Sequence, residues 1–350
     1  MLAVIGLAMV YSVTYVRLPN GTGYPGPRFW TQLYAVTLGL IALVVCLTID
    51  YRVFADHSLL LYGGLLAMLT FVLFKGSTQY NATRWIDVGP FNVQPSEFAR
   101  IAVALMLAMY FGENRRGARG NGDLIVAGVF AAIPFFLIAK QPDLGTAVTL
   151  IPVWFGIAYL AGLRLRLLGV LAIVAALMAP IAWNYALKDY QKARITTFLD
   201  PSQDPRGEGY QQIQARITVG SGGLTGKGFM QGTQGQYKFL PVADNDFIFS
   251  VLAEEQGFIG VLVALGLYLF VILRSLEAAR LAKDRIGAYL VGGIVAGFAF
   301  QVIYNITMSA GLAPVKGLTL PLLSYGGSSM IATLAAFGLV LNVRMRRFTN

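Results

Sequence analysis

The sequence of 350 residues has almost no cysteine or histidine: Cys46 and His57 are single occurrences. One cysteine cannot form a disulfide within the chain, and the two residues together cannot supply the ligands of a Cys/His zinc site. We interpret Cys46, in an apolar run, as an inert core residue and His57, in the short loop DYRVFADH, as a solvated residue. A Ser-His-Asp triad is therefore not predicted, and any chemistry must use carboxylates, Lys, Arg, hydroxyls or backbone groups.

Charge is also scarce, because only 13% of the residues are charged while 56% are hydrophobic. Soluble domains carry about 25% charged residues. Apolar runs near 20 residues, the length that crosses a bilayer, recur along the chain. The sequence predicts an all-α polytopic membrane protein, with residues 1–350 as a single integral membrane domain. Ten transmembrane helices are predicted, at residues 1–16, 30–49, 58–75, 97–112, 124–140, 144–162, 167–187, 247–273, 286–311 and 318–343.

The net charge of +10 is explained by where Lys and Arg fall between these spans. Thirteen of them lie in the connections on the side of the N-terminus, and six lie in the short connections opposite. Because cytoplasmic connections carry the excess of Lys and Arg, both termini are predicted to be cytoplasmic. The long connection 188–245 is then extracytoplasmic. Nucleic-acid binding is not expected, because membrane topology and attraction to anionic lipid head groups already account for the excess of Lys and Arg.

The 188–245 loop is longer than a simple connection between two helices, and loops of this length usually have a function. Within it, Tyr210, Ile213 and Ile217 recur at helical spacing among polar residues, which predicts a short amphipathic helix at the membrane surface. A glycine-rich stretch then runs from Gly220 and turns abruptly into an apolar run at Asp246.

Asp246 is the leading candidate for chemistry, because its carboxylate lies where a polar loop meets a membrane helix. Lys227 and Lys238 precede it in the flexible loop, an arrangement that suits chemistry on the polar head of an amphiphile. Two interpretations stay open. Asp246 could cap the helix that follows it, since Asp is a favoured N-cap residue. It could instead be a general base, and a carboxylate saturated by backbone amides would be a poor one.

Five motifs occur in the order typical of the SEDS family (shape, elongation, division and sporulation), and most resemble its elongation branch. They are RWIDVGPFNVQPSEFARIA from Arg84, QPDLGTA from Gln141, LDPSQDPRGEGYQQIQA from Leu199, GSGGLTGKG through DFIFSVLAEE from Gly220, and PLLSYGGSSM from Pro321. The resemblance covers nearly all of Trp85–Met330. It departs from the family pattern at Val242, where Glu is usual, and at Asn245, where Thr or Ser is usual.

This resemblance implies a peptidoglycan glycosyltransferase that polymerises lipid II at the outer face of the bacterial cytoplasmic membrane, for cell elongation and rod shape. The acceptor 4-hydroxyl would attack with inversion and release undecaprenyl pyrophosphate, and Asp246 matches the family's catalytic aspartate. Implied partners are a class B penicillin-binding protein transpeptidase and other membrane proteins of the elongation complex. No cofactor is required by the sequence, although a divalent cation (Mg or Mn) could help to neutralise the pyrophosphate.

Two other classes stay open, a lipid II flippase and a non-catalytic scaffold of the cell-wall synthesis complex. Composition alone fits a flippase equally well. The polar residues are nevertheless concentrated at one membrane surface and in the long loop, whereas a transporter places its site near the membrane midplane.

The remaining candidates each have a structural alternative. Trp85 beside Arg84 is an interfacial anchor or a substrate contact, and Asp143 is a helix cap or part of the site. Glu97 and Arg100 form a salt bridge within a helix or a polar cluster below the site. The glycines around Lys227 make a mobile loop or a phosphate cradle.

Two groups complete the set. Glu254 and Glu255 are expected about 12 Å deeper in the membrane than Asp246, either paired structurally or in contact with substrate. Broken backbone at membrane depth is tolerated where it lines a cavity or protein, so PLLSYGGSS predicts cavity-lining residues, namely Ser324, Tyr325 and Gly326. We expect one cavity open to the outer leaflet, with Asp246 on its wall and Trp85, Lys227 and Ser324 within reach of a bound lipid head.

Overall fold

The computed structural model describes residues 1–18, 22–79, 82–88, 91–113, 121–162, 189–205 and 207–348, with residues 173, 177, 178, 180, 183 and 184. Its secondary structure in these ranges is mostly helical. The helices are α1 (Leu2–Thr14), α2 (Pro27–Thr48), α3 (Tyr51–Asp56), α4 (Ser58–Lys75), α5 (Ala99–Glu113), α6 (Asn121–Lys140), α7 (Leu144–Leu160), α8 (Asp189–Leu199), α9 (Glu208–Ser221), α10 (Thr233–Gln236), α11 (Ile248–Arg280), α12 (Arg285–Ser309) and α13 (Gly327–Met345).

The predicted polytopic membrane fold is confirmed. Six helices in the described ranges are long and apolar enough to cross a membrane, namely α2, α4, α6, α11, α12 and α13. Three more of the ten predicted spans correspond to shorter helices, α1, α5 and α7. The predicted span 167–187 lies almost wholly outside the described residues.

The helices pack closely because small residues stand where backbones meet. α13 runs along α2, and a Cβ on Gly338 would lie 2.6 Å from the carbonyl oxygen of Leu43. α12 packs against α5, α7 and α11. A Cβ on Gly293 of α12 would lie 2.5 Å from Cδ1 of Ile157 on α7. This packing forms the buried core and brings the segments that carry the site to one end of the bundle.

That end is here called the loop face, and it holds the described residues of the connections 15–26, 76–98, 141–143, 200–247 and 310–326. It contains short strands that the sequence analysis missed. The strands are β1 (Val16–Arg17), β2 (Gly23–Tyr24), β3 (Ser77–Gln79), β4 (Ala82–Val88) and β5 (Phe91–Val93). β1 pairs antiparallel with β2, and β4 pairs antiparallel with β3 and β5. Arg84 and Trp85 are therefore held in a small sheet and not in an irregular loop.

The predicted surface helix is present as α9. Its buried residues are small or polar, among them Gln212 and Ala215, while Ile213 and Ile217 are exposed. The helix thus packs its polar face on the protein and turns its apolar stripe outward, as an interfacial helix does.

α11 is not the continuous helix that was predicted. Gly257 has φ +65° and ψ −166°, so the helical conformation stops there and resumes at Phe258. A Cβ on Gly257 would lie 2.2 Å from the amide nitrogen of Gly226, which explains why only glycine fits. The break leaves a short helical segment, residues 248–256, at the loop face.

Candidate active site

Asp246 ends a turn at the loop face, immediately before α11. Its amide donates to the Val242 carbonyl at 3.1 Å, and its own carbonyl accepts from Nδ2 of Asn305 at 2.9 Å. The N-cap residue of α11 is Phe247, and no side chain caps the helix. The capping alternative for Asp246 is therefore wrong, and its carboxylate is not saturated by backbone amides.

The Asp246 carboxyl is instead buried and incompletely partnered. The residue is 8% exposed, and Oδ1 has no hydrogen-bond partner within the protein. Burial raises the pKa of this carboxyl to about 7, the negative charges of Asp244 and Asp143 add to the rise, and the positive charge of Arg84 opposes it. A carboxylate with a pKa near neutrality suits a general base, because it is ionised often enough to act and basic enough to take a proton.

Arg84 and Asp143 form the charged pair that acts on Asp246. Nη1 of Arg84 lies 3.3 Å from Oδ1 of Asp143, and the Arg84 guanidinium stands over the Trp85 ring at 4.8 Å. Asp143 also caps α7, because its Oδ1 accepts from the Thr146 amide at 3.3 Å. Both roles predicted for Asp143 are thus compatible in one geometry.

Asp143 is held from a second side by the turn that precedes α5. Nε2 of Gln94 donates to Oδ2 of Asp143 at 2.8 Å, and the Ser96 hydroxyl donates to the same oxygen at 3.2 Å. Since Asp143 is almost completely buried, these bonds offset the cost of its desolvation. They also orient the Arg84 side chain, which has an unpartnered Nε.

The backbone around Ser324, Tyr325 and Gly326 is satisfied by neighbouring segments. Nε2 of Gln32, on α2, donates to the Ser324 carbonyl at 3.1 Å, and the Gly326 amide donates to Oε1 of Gln32 at 3.0 Å. The Tyr325 amide donates to the Asp244 carbonyl at 2.8 Å. The segment 324–326 before α13 is therefore hydrogen-bonded to the turn that carries Asp246, and it holds that turn in place.

Glu97 and Arg100 form the predicted i,i+3 ion pair, with Nη2 of Arg100 2.6 Å from Oε2 of Glu97. Arg100 also donates through Nη1 to Oε1 of Gln301. Nε2 of Gln301 donates in turn to the Thr319 carbonyl at 2.9 Å. The pair thus belongs to a buried cluster that connects α5, α12 and the segment before α13.

Lys227 has a different position from the one expected. Its Nζ lies 2.6 Å from Oε1 of Glu254, and Oε1 also accepts from the Thr233 amide and hydroxyl, each at 3.0 Å. The amides of Lys227 and Gly228 donate to the carbonyls of Glu254 and Glu255, at 2.9 and 3.0 Å. The loop glycines therefore allow close packing on α11, and the amides and the lysine that would form a phosphate cradle are engaged within the protein.

Glu254 and Glu255 are buried where the glycine-rich loop packs on the start of α11. Glu254 binds the loop, as described above, and the Ser12 hydroxyl donates to Glu255. Both residues precede the break at Gly257, so the break does not alter the rise of about 12 Å from Asp246 along the helix, and their depth in the membrane stays a prediction. The structural pairing predicted for Glu254 is confirmed.

One cavity at the loop face is not lined by Asp246. It is a groove of about 850 Å³ between the ends of α1 and α2 and the segment 235–244, and Lys238 lines it. Asp244 also lines it and forms an ion pair with Arg28 across it, with Nη1 2.7 Å from Oδ2. Trp85, Lys227 and Ser324 are not among the residues of this groove, so the expected cavity that joins them to Asp246 stays a prediction.

The comparisons with known proteins agree with the motifs. The profile of the cell cycle proteins FtsW, RodA and SpoVE, the SEDS family, matches residues 1–348. The chain belongs to this family. This SEDS protein is 38% identical over 349 residues to the peptidoglycan glycosyltransferase MrdB of Escherichia coli, covering 99% of the chain and 93% of that protein. It is 36% identical over 351 residues to the probable peptidoglycan glycosyltransferase FtsW of Geobacter metallireducens, with coverages of 99% and 92%.

Solved structures resemble this SEDS protein over its full length. A chain of a peptidoglycan synthase complex, described as coordinating polymerization and crosslinking, matches with a TM-score of 0.84 and 33% identity, covering 100% of this chain and 97% of that one. The rod shape determining protein RodA of Thermus thermophilus matches with a TM-score of 0.73 and 29% identity, with coverages of 100% and 95%.

Sequence reasoning missed four residues that build this site: Arg28, Gln32, Asp244 and Asn305. A signal for two of them exists, since Gln32 and Asn305 are polar side chains within apolar runs, where such residues require partners. Arg28 and Asp244 stand in connections, and their pairing joins segments 216 residues apart. Only the folded chain shows that contact.

Proposed function

We propose that this SEDS protein is a peptidoglycan glycosyltransferase that polymerises lipid II, with Asp246 as the general base. The names of its relatives support the reaction class. The observation that carries the proposal is the buried carboxylate of Asp246, which has an unpartnered oxygen and a pKa of about 7. Its environment is the one expected of a base and not of a structural carboxylate, whose oxygens are normally all hydrogen-bonded.

In the proposed reaction, the acceptor 4-hydroxyl loses its proton to Asp246 while its oxygen bonds to the anomeric carbon of the donor. The bond from that carbon to the pyrophosphate breaks, and undecaprenyl pyrophosphate leaves. A donor with an α linkage then gives a β-linked product by one direct displacement. A single base is sufficient, and no covalent carboxylate intermediate is required.

Positive charge near the leaving group would stabilise this displacement. Arg84 is the cation whose field acts on Asp246, and its position over Trp85 keeps it at the loop face. Lys238 is the further candidate, since it is exposed on the segment that leads to the base. Lys227 is less suited, because its ammonium is bound to Glu254.

A divalent cation could share this task. The described residues contain no group of three or more His, Cys, Asp or Glu side chains that could hold a metal ion. Such an ion, Mg or Mn, would therefore be bound mainly through the oxygens of the pyrophosphate.

The site must face the lipid-linked substrate outside the cytoplasm, so we place the loop face there and both termini inside. The distribution of Lys and Arg supports this orientation. We also propose a transpeptidase of the class B penicillin-binding proteins as a partner, together with other elongation-complex proteins. The resemblance to a chain of a peptidoglycan synthase complex supports a partner that crosslinks the new strand. The elongation role is supported by the similarity to MrdB and RodA.

The test is polymerisation of labelled lipid II by purified protein, resolved on a gel, with and without the transpeptidase. Asp246→Asn should lower the rate by about 10²–10⁴-fold, the usual contribution of a positioned base. Asp200→Asn is the control, since this aspartate is exposed on the same long loop. A wild-type protein that moves lipid II across vesicles without making polymer would instead be a flippase. An Asp246→Asn variant that supports growth fully would favour the scaffold.

A further inference from the structure

Of the residues assigned to the reaction above, only Lys238 lines the groove at the loop face. Its volume of about 850 Å³ lies within the range of roughly 300–1,000 Å³ that is typical of ligand pockets. Its walls come from helix ends: Val13 and Thr14 end α1, and Pro27 and Arg28 begin α2. An occupant would therefore lie at the depth of lipid head groups and not along the hydrocarbon.

The side chains of the groove combine apolar and hydrogen-bonding groups. Nη1 of Arg28 donates to both oxygens of Asp244, at 2.9 and 2.7 Å, so this pair offers donors and acceptors without net charge. Tyr15 and Tyr237 add aromatic rings to the walls. Lys238 also lines the groove, so its charged side chains sum to one positive charge. A sugar ring, with apolar C–H faces and many hydroxyls, fits this combination of aromatic rings, donors and acceptors.

The segment that forms one wall has an unusual backbone. Lys238 has φ +60° and Val242 has φ +52°, a region that is an outlier for a β-branched residue. Strained backbone of this kind clusters at ligand sites, because the surrounding structure must maintain it. The wall ends at Asp244, and two residues span at most about 7 Å, so an occupant lies close to Asp246.

We propose that this groove holds the sugar rings of the glycan strand next to its reactive end, so that the strand stays bound between additions. The ligand class is a β-linked oligosaccharide of N-acetylated amino sugars. This inference depends on the proposed function, since only a polymerase retains a growing strand. Losing the groove should speed strand release more than it slows the first coupling, because changes at binding surfaces act mainly on dissociation.

Two pairs of variants test the groove. Val16→Trp would fill it, and Leu18→Trp is the matched control, because Val16 is 38% exposed and lines the groove while Leu18 is 39% exposed and does not. Tyr237→Ala removes a ring from the groove, and Phe239→Ala removes an exposed ring beside it. Tyr237 is 67% exposed, so its loss leaves folding intact even where the Val16→Trp variant does not fold.

The first readout is binding of a peptide-free tetrasaccharide of alternating N-acetylglucosamine and N-acetylmuramic acid, followed by saturation-transfer NMR. Both groove variants should bind it about tenfold more weakly or worse, and both controls should bind it normally. The second readout is polymer length from lipid II. Both groove variants should make shorter strands, while the yield of the first coupling product stays near that of the controls.

Equal binding and equal strand length in groove and control variants would overturn the groove assignment. Groove variants that bind the tetrasaccharide normally but bind phosphatidylglycerol vesicles more weakly than the controls would also overturn it. Asp246→Asn separates this inference from the proposed function. That variant should bind the tetrasaccharide normally because Asp246 does not line the groove. If wild-type protein binds the sugar in the groove and makes no polymer, the proposed function fails and the binding site stands, without its role in strand retention.

Discussion

Asp246→Asn should stabilise the protein at neutral and alkaline pH while it lowers the rate of polymerisation about 10²–10⁴-fold. The reason is the pKa of the Asp246 carboxyl, which burial raises from 3.8 to about 7 in the folded protein. Below about pH 4 this carboxyl is protonated in both the folded and the unfolded chain, so it has no effect on stability. Above about pH 7 it must ionise inside the folded protein, which favours the unfolded state.

The magnitude follows from the size of the shift. A difference of about 3 pKa units corresponds to about 4 kcal/mol of destabilisation above pH 7, at 1.36 kcal/mol per unit. At pH 5 the same group costs about 1–2 kcal/mol, since it is then mostly ionised only in the unfolded chain. Asparagine cannot ionise, and a buried amide without a partner costs about 1–3 kcal/mol at every pH. The pH-dependent part alone is therefore about 3 kcal/mol between pH 5 and pH 8.

The assay is reversible unfolding in mixed micelles with increasing SDS, at pH 5 and pH 8. The free energy of unfolding of Asp246→Asn, relative to wild type, should rise by about 3 kcal/mol from pH 5 to pH 8. Asp200→Asn is the control, because hydrogen bonds from Ser202 and Gln203 lower the pKa of that exposed carboxyl. A relative stability of Asp246→Asn that is the same at both pH values would refute the account of a buried, ionising base.

Two other predictions concern the same site, and a third concerns the orientation of the chain in the membrane. The rate of polymerisation should rise with pH to a plateau above about pH 7, because Asp246 must be ionised to accept a proton; a flat profile measured with labelled lipid II would contradict this. Asn305 donates to the carbonyls of Asp246 and Leu318 at 2.9 and 2.6 Å. Asn305→Asp should therefore lower the polymerisation rate roughly tenfold and move the pH dependence of the rate to higher pH. Asn305→Ala should lower the rate without that shift. Equal pH profiles for the two variants would argue against the contact between residue 305 and Asp246. A Ser202→Cys substitution in a Cys46→Ala background should react with an impermeant thiol reagent in intact cells, and reaction only after lysis would reverse the proposed orientation.

The sequence by itself determined the class of protein, the membrane helices and the family. Apolar runs of about 20 residues report the membrane directly, because backbone polar groups must be satisfied within each span. The i,i+3 pair of Glu97 and Arg100 was predictable for a similar reason, since local spacing sets which side chains of a helix meet. Asp246 stood out because it marks the change from polar loop to apolar helix.

Only the tertiary structure decided what surrounds these residues. The pairing of Lys227 with Glu254, and of Arg28 with Asp244, joins segments that are distant in sequence, and local periodicity carries no information about such contacts. The break at Gly257 depends on the approach of another backbone, so it could not be read from an apolar run. The state of Asp246 depends on burial and on three charges brought near it by folding, which is why the sequence could single out this residue and only the fold gives its pKa.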